Sequence, residues 1–169
     1  MHMGLLITTA GLAVVAIVPM AARADDCATV MAAAIAQAKT PYAGSMTITH
    51  PGQPPRSNQI VNTATKTYVQ VNGAWQSMPY DAQETVDHIM DVAKKSTQAC
   101  QKVGAETVNG EATTVYTEHS DNGKTVGDGR IWISNGNDLP VKLEMHFKSG
   151  ETMVQESHYD NIQPPAGAP

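Results

Sequence analysis

Two spacings alternate along this chain. Cys27, Val30, Met31, Ala34 and Ala38 fall on one helical stripe, opened by Asp25 or Asp26 as a cap and stopped by Thr40-Pro41. From Tyr42 the period drops to two: Tyr42, Met46 and Ile48 alternate with Ala43, Ser45, Thr47 and Thr49, which predicts a half-buried strand. His50-Pro51-Gly52-Gln53-Pro54-Pro55 predicts a loop at a sheet rim. Strands are expected over 58–63 and 67–72, and Asn72-Gly73 marks a tight hairpin leading to Trp75. Helical spacing then returns. Asp81-x-x-Glu84 resembles a capping box, Val86, Ile89, Met90 and Ala93 share a face, and Lys94-Lys95 complement the dipole of the last turn.

The remainder is a meander. Asn109-Gly110, Asp121-Asn122-Gly123, Asn135-Gly136-Asn137 and Ser149-Gly150 punctuate strands expected around 100–107, 111–119, 127–134, 140–148 and 151–160. The cleanest alternation sets Val141, Leu143, Met145 and Phe147 against Lys142, Glu144, His146 and Lys148, one face dry and one wet. Hairpin turns in place of crossover helices predict an α+β fold: a curved antiparallel sheet of about eight strands, an incomplete barrel, with two helices covering its concave face.

The apolar run Leu5 to Val18 changes what the rest of the chain means. Pro19 breaks it, and Ala22-Arg23-Ala24 supplies the small-x-small pattern that a signal peptidase reads. Residues 1–24 are therefore expected to be a cleaved secretory leader, 25–162 a single domain, and 163–169 a flexible Pro/Gly/Ala tail. Asp25-Asp26 stand before Cys27 where a lipidation box would need small residues. The expected destination is the periplasm, with no stable membrane insertion after cleavage.

Charge and cysteine usage then narrow the partners. The whole chain carries 11 basic and 16 acidic residues, a net charge of −5. It has no basic stripe with which to neutralise phosphates, which argues against nucleic acid as a partner. Cys27 and Cys100 are the only two cysteines. In an oxidising compartment an isolated pair so far apart reads as one structural disulfide, tying the start of the first helix to the end of the second.

The residues that usually carry chemistry are present without the arrangements chemistry needs. His50, His88, His119, His146 and His158 lack the spacing of a metal site, so no metal and no cofactor is expected. There is no Gly-x-Ser-x-Gly and no glycine-rich phosphate loop, so no catalytic residues are assigned and a non-enzyme is expected. What stands out is soft apolar side chains, with nine methionines and two tryptophans against one phenylalanine. Trp75, beside a hairpin, and Trp132, within a strand, are each either an inward anchor or part of an opening's rim.

Several phrases, taken in order, resemble the periplasmic lipoprotein-carrier superfamily (LolA/LolB-like). They are Thr67-Tyr68-Val69-Gln70-Val71-Asn72-Gly73-Ala74-Trp75 and Val103-Gly104-Ala105-Glu106-Thr107-Val108-Asn109-Gly110-Glu111. Arg130-Ile131-Trp132-Ile133-Ser134 with Leu139-Pro140-Val141-Lys142, and Tyr159-Asp160-Asn161-Ile162, complete the set. The resemblance implies an incomplete, curved barrel capped by helices, with acyl chains held between. It would turn Met46, Ile48, Val69, Val71, Leu143, Met145 and Phe147 toward the helices, with Val86, Ile89 and Met90 forming a lid. With Trp75 and Trp132 these are the candidate ligand-binding residues. The expected role is to bind a hydrophobic small molecule or lipid, as a monomer. The alternative is an interaction module with a filled core that binds another envelope protein.

Overall fold

A computed structural model describes residues 24–169, so the leader expected over 1–24 lies outside the described residues except for Ala24. The chain runs α1 (Ala24–Lys39), β1 (Tyr42–Thr49), β2 (Arg56–Asn62), β3 (Lys66–Val71), β4 (Ala74–Pro79) and α2 (Ala82–Lys95). It continues through β5 (Thr97–Val108), β6 (Glu111–Asp121), β7 (Val126–Ser134), β8 (Pro140–Phe147) and β9 (Thr152–His158). The strands form one open sheet in the order β4-β3-β2-β1-β9-β8-β7-β6-β5. Every neighbouring pair is antiparallel. The α+β class, the open sheet and the two helices are as expected, with nine strands where about eight were expected. The ninth is β4, which closes the hairpin at Asn72-Gly73 against β3.

Local chemistry accounts for the turns and caps. Asn72 and Gly73 take φ of 52° and 81°, and Asn109 and Gly110 take 52° and 85°, the left-handed pair that a tight hairpin turn requires. The Asp81 carboxylate accepts from the backbone N–H groups of Gln83 and Glu84 at 2.8 and 3.0 Å, which satisfies two of the donors that open α2.

The core lies under α1. Val30 and Ala33 pack on Tyr116 of β6 and on Ile131 and Ile133 of β7, with Leu143 of β8 at the edge. α1 rests chiefly on β5, β6 and β8, whereas α2 rests chiefly on α1. The Cys27–Cys100 disulfide forms, across a Cα–Cα distance of 4.9 Å, and corrects one detail. Cys100 lies inside β5 and not at the end of α2, so the bond ties the first turn of α1 to the sheet edge. The Asp26 carboxylate reinforces that join by accepting from the Lys102 N–H at 2.9 Å.

Candidate functional site

Between the helices and the sheet lies a cavity of about 330 Å³. α1 gives it one face of its helix, Cys27, Val30, Met31, Ala34 and Gln37, each three or four residues from the next or adjacent to it. α2 supplies His88, Ile89 and Val92. The floor comes from Cys100 of β5, Glu118 of β6, Ile131 of β7, Leu143 and Met145 of β8, and Gln155 and Ser157 of β9. Apolar side chains therefore dominate the middle, and polar groups gather at two ends.

The two ends differ. At one, Gln37 Nε2 donates to Tyr159 Oη at 2.9 Å and Ser157 Oγ at 3.3 Å, and Tyr159 donates to the Pro140 carbonyl at 2.5 Å. These groups satisfy each other, and burial pushes the Tyr159 hydroxyl well above the ordinary phenol range. At the other end Glu118 stands across from Cys100 on β5 and Gly129 on β7. Desolvation raises its pKa above the usual carboxylate value, and among the described residues no hydrogen bond or neighbouring charge offsets it.

Strand register decides where the expected residues stand. Leu143 pairs with Gln155, and Gln155 with Met46, so these three share one face. Met145 pairs with Met153, and Met153 with Ile48, on that same face. Val69 joins it through Ile60 and Gly44, and Val71 and Phe147 follow by alternation. Of the expected residues, Ile89, Leu143 and Met145 line the cavity. Met46, Ile48, Val69 and Val71 lie beyond it, on strands outside the helices' main contacts. Phe147 lies at the far end of β8 against Gly127, where a Cβ would come within 3.1 Å of its ring. On α2, Val86 is buried outside the cavity lining and Met90 is 38% exposed.

The tryptophans face away from the cavity. Trp75 pairs with Gln70, which lies between Val69 and Val71 in β3 and so points to the opposite face. Trp132 neighbours Ile131 in β7 and is 3% exposed on the outer side, packed with Val115 and Val141. Its indole donates to Glu106 at 2.8 Å, while Arg130 and Lys142 stack over the ring at 5.0 and 4.7 Å. That cluster holds β5 to β8 together from behind.

Other chemistry finds little to build on. Among the described residues no three His, Cys, Asp or Glu side chains converge as a metal site, and no helix is long and apolar enough to cross a membrane. The histidines lie apart: His50 pairs with Glu151 and His119 with Asp128, each at 2.8 Å.

The architecture is an open antiparallel sheet with a helix pair over one end and an apolar cavity between them. The same fold occurs in LprF from Mycobacterium bovis, with 10% identity and a TM-score of 0.50, covering 88% of this chain and 100% of that one. It occurs also in MucB of the Pseudomonas aeruginosa MucA/MucB complex, with 14% identity and a TM-score of 0.53, covering 85% of this chain. This chain spans only 62% of that protein. Looser matches include a LolA superfamily protein from Nitrosomonas europaea, at 11% identity and a TM-score of 0.26, covering 71% of this chain and 84% of that one. No family model and no curated protein matches the sequence.

Proposed function

We propose that this is an exported, periplasmic binding protein that holds a hydrophobic ligand, a lipid or acyl chain, without covalent chemistry. The observation that carries this reading is the apolar cavity between α1, α2 and β7–β8. Its volume lies at the lower end of the roughly 300–1,000 Å³ usual for small-ligand sites, which suits one chain better than several. Apolar burial supplies the affinity, at about 25 cal/mol per Å². α2 leans on α1 more than on the sheet, so it is the element that moves to admit the ligand. Cleavage after Ala24 leaves the protein free of the membrane, and no residue is assigned a catalytic role.

Leu143→Asp tests this reading directly, because it sets a charge on the cavity floor. Uncharged Nile red should bind the parent protein and bind the variant at least about tenfold more weakly. Circular dichroism checks that the variant is folded. Undiminished binding in a folded variant removes the cavity as the ligand site. MucB was crystallised in complex with MucA, and that observation supports a second reading in which this chain also meets an envelope protein.

A further inference from the structure

The cavity's two polar ends are not equivalent, and the difference points to a ligand class. Gln37, Ser157 and Tyr159 close their own hydrogen bonds at one end. Glu118, at the other, has no hydrogen-bond or ion-pair partner among the described residues. Its cross-strand neighbours are a disulfide sulfur and a glycine. The space that a Gly129 side chain would fill is taken by Met145, whose Sδ lies 2.5 Å from where a Cβ would sit.

Cations elsewhere in the wall are turned to other partners or to solvent. The Lys142 ammonium bonds Glu144 at 2.7 Å and covers Trp132. His88, on α2, is exposed at the mouth, and α1 presents no charged side chain to the cavity. Glu118 is half-buried beside the disulfide and the Met145 thioether, with Gln98 and His88 lining the same cavity, and a cationic partner would offset the desolvation of its carboxylate. No buried oxygen of the described residues is sealed off without a partner, so the Glu118 oxygens remain reachable from the cavity or from solvent.

We infer that Glu118 is the headgroup contact of this cavity, and that its ligand is a single-chain amphiphile bearing a cationic nitrogen. The tail lies along Val30, Ile131 and Leu143, and the ammonium donates to the Glu118 carboxylate. The chain's net charge of −5 favours the approach of such a ligand. This inference rests on the cavity being a site for apolar ligands, and it adds the sign of the head.

Dodecylamine, dodecanol and laurate share one tail and differ in the head. Titration calorimetry with the disulfide-intact protein should rank them amine, alcohol, carboxylate. Glu118→Gln should weaken the amine by about tenfold or more and the alcohol far less. Retained alcohol binding also shows that the variant is folded. If the amine binds no better than the alcohol, or if Glu118→Gln weakens both equally, the headgroup assignment is overturned and the cavity reading stands. If none of the three binds, both fall.

Discussion

Leu143 and Met46 occupy one row of one sheet face, with a single strand between them, and they have opposite surroundings. Leu143 packs at the edge of the core beneath α1 and lines the cavity. Met46, like Ile48, Val69 and Val71, continues the same apolar face onto strands that the helices scarcely touch. Alternation assigns a residue to a face. It does not say which part of that face will be covered. Here a tether decides the matter: the disulfide and the Asp26–Lys102 bond hold α1 over β5, so the cavity forms at that end of the sheet.

Removing the tether should have the largest effect on this contrast. The two cysteines are 73 residues apart, for which the chain-entropy treatment gives about 4 kcal/mol. Cys27→Ser with Cys100→Ser should lose about that much in denaturant unfolding. Amide exchange should rise most in α1 and β5 and least in β1–β3. An even rise across the sheet would break the contrast.

Truncation on the two halves comes next. Ile131, 5% exposed beneath α1, should cost about 3 kcal/mol on change to Ala. Ile48, on the barer half, should cost no more than about 1 kcal/mol. Equal losses would mean that something covers β1–β4 as fully as α1 covers β7.

The smallest effect concerns Glu118, whose folded pKa is raised above its free value of 4.5. Folding then favours the protonated form, so this group's contribution is most favourable below 4.5 and is lost as pH rises through the raised value. Glu118→Gln should match the parent at acid pH and exceed its Tm near neutrality, on the order of 2 °C. A lower Tm at neutral pH would mean that the carboxylate already has a partner.

The strands, both helices and the disulfide pair were legible because each has a short-range signal: period, cap, turn or lone cysteine pair. β4 carries little strand signal, since Ala74–Pro79 has only Trp75 and Met78 as large apolar residues and ends in proline. The site was harder to see. The Val30, Met31 and Ala34 stripe reads equally as packing or as cavity wall, and only the spacing between elements separates the two. Trp132 reads from sequence as either an inward anchor or a rim residue, and its burial on the outer side depends on Glu106, Val115 and Lys142 from three other strands. Glu118 carried one weak signal, a charge in phase with the buried Tyr116 of the same strand. Its isolation depends on Gly129 and Met145 arriving from β7 and β8.

The central claim is that the cavity carries a hydrophobic ligand. Native mass spectrometry of the protein purified gently from its own envelope, followed by organic extraction, tests it most directly. The account predicts an added mass that passes into the organic phase and is lost in Leu143→Asp. Bare polypeptide alone, two hydrogens light for the disulfide, in a protein that also takes up no Nile red, would contradict it.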